Sequence, residues 1–472
     1  MIDAIQIQYR IGRRAIAFLV AAAVLGVPAG VMRLLCVGEA CEPRAEALSR
    51  APFCSLPDDV RRLIERGTYE GRSPDIMAVT GPSLVSGGET FHRSSFEPLW
   101  PSTALPDNGR VPLVFAGTGV SEGTRLPAAT RLDDVSETIA AIIDLRRPHP
   151  KVRSGTALRG VASGVIPRLV LEVVWKGVGS DDLERQPEVW PQLRRLLELG
   201  AGTVDALVGS LPLDPAPTLV TIGTGGLPSR HGVTGSILRG DQALYSSTSG
   251  EDSAGKVVHA WGVHSFQTVI ATLSDHLDEK LKQRPRIGLI GTDRIDRGLI
   301  GGNWYPHGDQ DPVVILDRAA SVRDQVEAAR ALLTDGDFGR DEITDLAGIV
   351  LSGPVPELDR ALGRFVKLAN RVSRGSAAIV VTATGANHSG QLETAMNADV
   401  FRRKLERSIP ASEPVVEALA PGGLYLDQGA LARLEMSDDV VLSEMLAIRS
   451  ASGDRLMADA FPTIAITFGR YC

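Results

Sequence analysis

Apolar positions along this chain gather into short continuous runs, separated by longer segments with helical spacing. The clearest runs are Val111–Ala116 (VPLVFA), Leu169–Trp175 (LVLEVVW), Arg286–Gly291, Val313–Leu316 and Ala377–Thr382 (AAIVVT). Asp75–Thr80 (DIMAVT) precedes them and Thr463–Phe468 follows. Runs of this kind leave no polar face, as in strands covered on both sides. Between them the period changes. Helices are predicted over Asp134–Ile143, from Pro191 to Gly200, and over Phe266–Gln283, Ser321–Thr334 and Pro356–Ser373, then near 391–407 and 438–449. Leu358, Leu362, Phe365, Val366 and Ala369 form one apolar stripe on the 356–373 segment. Asp134-x-x-Glu137 reads as a capping box, and Pro191 before the apolar spacing with Gly200 after it gives the usual start and stop. Strands alternating with helices predict an α/β fold: a three-layer sandwich around a mostly parallel central sheet.

Pro217–Gly235 (PTLVTIGTGGLPSRHGVTG) condenses this pattern. Thr218–Ile222 is apolar and β-branched, which predicts a buried strand. Gly223, Gly225 and Gly226 then predict a turn where backbone lies close to another group.

Ala15–Met32 is uncharged over 18 residues and follows Arg10, Arg13 and Arg14. That length and flank predict a membrane anchor with a cytoplasmic N-terminus and an extracytoplasmic domain. A cleaved signal peptide, and so a secreted chain, is the alternative. Cys36, Cys41, Cys54 and Cys472 fit disulfides in an exported protein, with three possible pairings. The predicted organisation is an anchor over 1–35, a cysteine-bearing linker over 36–74 and one domain over 75–472. With a net charge of −7 and 5% aromatic residues, the composition offers neither the basic footprint nor the stacking surface of a nucleic-acid binder. At 472 residues and 43% hydrophobic there is ample core.

Thr224-Gly225-x-x-Pro228-x-x-His231-Gly232 resembles the loop beside the nucleophile in the alkaline phosphatase superfamily, type I phosphodiesterases and nucleotide pyrophosphatases in particular. The resemblance implies phosphoester hydrolysis by two metal ions, zinc or another divalent metal, with a Thr or Ser taking the phosphoryl group. The family's ligand positions fall here on other residues. Lys176-Gly177 stands where an Asp-Gly is expected, and the nucleophile position falls on Asp214 or Pro215, with Thr218 the nearest hydroxyl. Ala383-Thr384-Gly385-Ala386 stands where Ser-Asp-His-Gly is expected. In the Asp-x-x-x-His element Asp345 is kept and the His is Ile349. Arg110-Val111-Pro112-Leu113 resembles the family's His-Val-Pro-Leu strand. That segment comes first here, so residues 75–160 resemble the family's C-terminal part and 161–400 its beginning and middle: a circular permutation.

Two functions follow. One is a phosphoester or phosphodiester hydrolase with a rearranged or single metal. The other is a non-catalytic relative that binds an anionic ligand or protein partner and has no metal cofactor. Lys176 and Asp214 are expected to pair where metal and nucleophile sit in relatives. Arg110, Thr224, His231, Asp293, Asp296, Asn303 and Asp345 are the ligand-binding candidates. Asp293, Asp296 and Asn303 fall in IGLIGTDRIDRGLIGGNWY, after a predicted strand, where α/β sheets bind ligands; turn chemistry is the competing account. His231 and His388 read as loop histidines, and His276 as a solvated one on an amphipathic helix. His259, His264 and His276 lack metal-ligand spacing. No P-loop or G-x-S-x-G motif occurs.

Overall fold

The computed structural model describes residues 53–80, 109–127, 129–239, 244–246, 250–251, 257–260, 268–301, 304, 311–386, 398–420, 422–449 and 457–468. Residues 1–55 and 56–472 form two compact units. The expected membrane segment, Cys36, Cys41, Cys472, Asn303, His264 and His388 lie outside the described residues. Among the described residues no helix is long and apolar enough to cross a membrane. Cys54, in the first unit, is disulfide-bonded.

Among the described residues the second unit holds fifteen strands in three sheets, named here in chain order: β1 (Ile76–Thr80), β2 (Arg110–Gly117), β3 (Leu169–Trp175), β4 (Ala201–Leu207), β5 (Ile237–Arg239), β6 (Leu244–Ser246), β7 (Gly250–Glu251), β8 (Val257–Ala260), β9 (Ile287–Gly291), β10 (Val313–Ile315), β11 (Asp345–Leu351), β12 (Ala377–Ala383), β13 (Val416–Ala420), β14 (Gly423–Leu426) and β15 (Met457–Pro462).

 The sheets have four, seven and four strands.

The seven-stranded sheet runs β10-β9-β11-β3-β12-β2-β4. From β10 to β12 all pairings are parallel, while β2 is antiparallel to both β12 and β4. β3, β11 and β12 are buried along their whole length, which is why they read as unbroken apolar runs. Helices Pro191–Leu199, Val322–Asp335 and Val355–Val372 pack together on one side. Helices Asp134–Ile142, Pro215–Thr224 and Leu273–Leu281 and the 3-10 helix Arg294–Leu299 group on the other. A Cβ on Gly288 would meet Leu332 and Phe338, and one on Gly348 would meet Leu299, so the sheet is covered on both faces. The result is an α/β fold with a mixed sheet.

A second sheet, ordered β13-β14-β1-β15 and antiparallel throughout, packs with helices Ala398–Ser408, Gln428–Arg433 and Asp438–Ala447 around Leu405, Leu424, Leu426 and Val441. A third is the small sheet β5-β6-β8-β7.

Three sequence expectations change. Thr218–Ile222 is not a strand but the interior of helix Pro215–Thr224. All ten of its residues are buried, so no polar stripe marks the helical period. The Asp214-Pro215 start and Gly225, at φ 78°, are the helix signals that decide it. Thr463–Phe468 is likewise not the last strand: Met457–Pro462 is, and Ile464–Phe468 is a helical turn. The Asp134/Glu137 box is not made either. Asp134 accepts from Arg131 N and Thr156 N, while Glu137 takes Arg147.

Candidate functional site

The carboxyl ends of the parallel strands, together with the start of antiparallel β2, form one edge of the main sheet. Lys176 follows β3, the Thr292–Asp293 turn follows β9, Ser352 follows β11 and Thr384 follows β12. The Lys176-Gly177 turn and the Thr384 segment lie side by side, since Gly177 N donates to Thr384 Oγ1 at 2.9 Å. Gly177 adopts φ 75°, a left-handed turn that favours glycine.

Lys176 Nζ lies 2.6 Å from Asp296 Oδ1, with the two side chains 3% and 0% exposed. The two groups form a buried ion pair. Oδ2 of Asp296 accepts from Thr292 N at 2.8 Å and Asp293 N at 2.9 Å. Burial pushes the Asp296 carboxyl upward and Lys176 pulls it back. The expected pairing of Lys176 with Asp214 is therefore corrected: the partner is Asp296.

Asp214 caps helix Pro215–Thr224. It accepts from Ala216 N at 2.9 Å, Ser236 N at 2.6 Å and Ser236 Oγ at 2.7 Å. Complete burial raises its pKa, the Ser236 and Ala216 bonds oppose this, and nearby Asp293 adds to it. Thr218 Oγ1 donates to Asp214 O at 2.9 Å, one turn back along the helix. Both proposed reacting groups thus have their polar atoms engaged in starting the helix, and both are buried.

Asp293 and Asp296 make a reciprocal capping box at the start of the 3-10 helix Arg294–Leu299, and Asp293 also ion-pairs with Arg318. Turn chemistry, the account weighed against ligand binding for these two acids, is what they perform here. Thr224 Oγ1 donates to Val220 O at 2.6 Å and accepts from Gly226 N at 3.2 Å. His231 is buried, and its Nδ1 accepts from Val233 N at 3.1 Å. The remaining ring proton is then on Nε2, 3.1 Å from Thr221 Oγ1. Burial lowers the His231 pKa to about 3, so the ring is neutral.

Two candidates stand apart. Arg110 is at the same edge as Lys176, but Asp181 at 2.7 Å, Asp205 at 2.9 Å and Glu184 at 3.2 Å surround its guanidinium. Asp345 begins β11, in register with Leu169 at the start of β3, so it is at the opposite edge. There it accepts from Arg286 N and Gly339 N, both at 2.7 Å. Burial raises its pKa to about 6 against those bonds. His276 is also not solvated: it is buried, and Arg147 Nε donates to its Nδ1 at 3.0 Å. Burial, with Arg147 next in effect, lowers its pKa to about 3.

Among the described residues, no group of three or more His, Cys, Asp or Glu side chains is gathered as for a metal ion. At the strand-end edge the donor set does not fit a metal pair, because a buried ammonium group neutralises Asp296 and Arg318 holds Asp293. Arg147 was missed by sequence reasoning. Its five N–H groups join the start of helix Asp134–Ile142, the end of helix Pro215–Thr224 and His276. Only the basic run Arg146–Arg153 hinted at it.

No protein-family model matches the chain, and no curated protein matches it. Among solved structures it is similar to the alkaline phosphatase PafA, at 16% identity over 60% of this chain and 76% of that one, with a TM-score of 0.45. It is also similar to the phosphonoacetate hydrolase of Sinorhizobium meliloti 1021, at 16% identity over 60% of this chain and 74% of that one, with a TM-score of 0.34.

Proposed function

We propose that this chain is a non-catalytic relative of the alkaline phosphatase superfamily, held outside the membrane by its N-terminal segment, and that it works by binding. The observation that carries the reading is the buried Lys176–Asp296 pair, 2.6 Å apart at the strand ends. A hydrolase of this family needs a free nucleophile and metal ligands there. Here Lys176 takes one carboxylate, while Asp214 and Thr218 are engaged in capping a helix. Hydrolysis would require both arrangements to open.

The circular permutation is part of the same proposal. Its support is that β2 sits beside β12 and brings Arg110 to the Lys176 edge, as a rewired C-terminal strand would. The anchor rests on the uncharged stretch over 15–32 after three arginines, and the disulfide state of Cys54 fits an exported protein. The bound partner is a small anionic ligand or another protein.

Elemental analysis of the purified protein, run beside hydrolysis of an aryl phosphodiester, tests the reading. We expect no stoichiometric zinc or manganese and no turnover. Stoichiometric metal with turnover abolished by a chelator would overturn it in favour of the hydrolase.

A further inference from the structure

The Lys176–Asp296 contact has the parts of a condensation site. Nζ and Oδ1 lie 2.6 Å apart, and the side chains are 3% and 0% exposed, which keeps bulk water away from both. Each group is held in place. Lys176 N donates to Leu351 O at 2.8 Å, fixing the residue as the chain leaves β3. Asp296 lies across the end of β9, where a Cβ on Gly291 would come within 2.7 Å of the Asp296 Cβ, so its side chain fits there over a glycine. Oδ2 takes two backbone donors, Thr292 N at 2.8 Å and Asp293 N at 2.9 Å.

An amine held against a carboxyl group whose other oxygen faces two fixed N–H groups is the arrangement that acyl transfer requires. The paired N–H groups stand where an oxyanion on Oδ2 would be stabilised as the carboxyl carbon becomes tetrahedral. Burial, opposed by Lys176 and reinforced by Asp293, shifts the Asp296 carboxyl toward its protonated form. Passing one proton from Nζ to Oδ1 turns the ion pair into an amine and an acid. Alignment supplies the rest, since well-oriented groups within one molecule react as if at concentrations on the order of 10⁵ M or more. The buried pairs of Arg147 and Arg153 with Glu137 cannot follow this course, because a guanidinium keeps its proton and is no nucleophile. Asp293 is held by Arg318, which leaves Asp296 as the acyl partner.

We propose that Lys176 and Asp296 join in an intramolecular isopeptide bond, formed by the folded chain without a further reactant. Nζ attacks Cγ of Asp296 and the Cγ–Oδ1 bond breaks. Oδ1 leaves as water with two of the three ammonium protons, and the third stays on the amide nitrogen. Oδ2 becomes the amide carbonyl oxygen and keeps its two N–H donors. The bond ties the end of β3 to the 3-10 helix that follows β9 and closes the chain between them into a loop, limiting the unfolded state as a disulfide does.

The mass of the reduced, denatured full chain tests this. Wild type should fall short of the mass of its sequence by one water. Lys176→Arg, which keeps a cation but cannot form the amide, should have the full mass. Because that change alters a buried position, a tryptic digest of wild type provides a second measurement that needs no variant. It should contain a branched peptide joining the Lys176 and Asp296 segments, with no cleavage after Lys176. A linear peptide ending at Lys176, with wild type at full mass, would overturn the bond. So would a loss of water that persists in Lys176→Arg. Neither measurement reads metal content or turnover, so the crosslink and the binding function proposed above fail or stand separately.

Discussion

Glu172 sits midway along β3 with its carboxyl buried, and no hydrogen bond or ion pair reaches it from the described residues. Its register partner Gly348 faces Leu299 and Ile300, so the acid lies under the 294–299 segment in apolar surroundings. Burial alone raises its pKa from 4.5 to about 8. Between those values the unfolded chain has released the proton and the folded chain keeps it, so stability falls as pH rises through the window. At pH 7 the loss is roughly 3 kcal/mol. Glu172→Gln should remove that slope, leaving the variant more stable than wild type at pH 7.5 by more than at pH 5. Urea unfolding at both pH values measures this, and an equal difference at the two would sink it. Lys176 argues in the other direction. Lys176→Met leaves Asp296 buried without its cation and should cost about 3–5 kcal/mol, whereas adding Asp296→Asn should recover much of that. Additive losses in that cycle would mean that the two residues are not coupled.

Helix Pro215–Thr224 is where local sequence and structure part company. Its capping residue was in view as a nucleophile candidate, and its C-terminal glycine was read as a strand-end turn. What hid the helix is that a fully buried helix has no amphipathic period, so five β-branched and apolar residues fit a strand equally well. β3 and β12 were legible because a strand buried on both faces has no competing pattern of that length. β1, β14 and β15 show the limit. β1 was legible as a run, but its pairing with segments near 424 and 460 depends on contacts far along the chain that periodicity does not encode. Asp214 also gives this element its own prediction. Replacing it with Ala removes the cap and leaves Ser236 N without its acceptor, so Asp214→Ala should destabilise by roughly 2–4 kcal/mol. Asp214→Asn, which keeps an oxygen for capping, should cost less. Denaturant midpoints decide it, and equal losses in the two variants would count against the cap.

Across the whole molecule, the candidate site divided according to which edge of the sheet each residue occupies. Spacing along the sequence identified the strand ends after which Lys176, Asp293 and Asp296 fall. It could not identify Asp296 as the partner of Lys176, because that contact joins two crossovers distant in sequence. It also could not tell that Asp345 opens its strand where Lys176 follows one. Asp345 is level with Leu169, seven residues before Lys176 on the neighbouring strand, a separation of about 23 Å along the sheet. Groups that far apart, with no shared partner, should act independently. Asp345→Asn should lower stability on its own by depriving Gly339 N and Arg286 N of a full carboxylate. Combined with Lys176→Met, the two losses should add to within about 0.5 kcal/mol. Had the two residues been ligands of one centre, as the resemblance implies, the first change would relieve the second and the sum would fall short. A coupling of more than about 1 kcal/mol between them would therefore restore a single shared site and displace the division of the sheet into two separate edges.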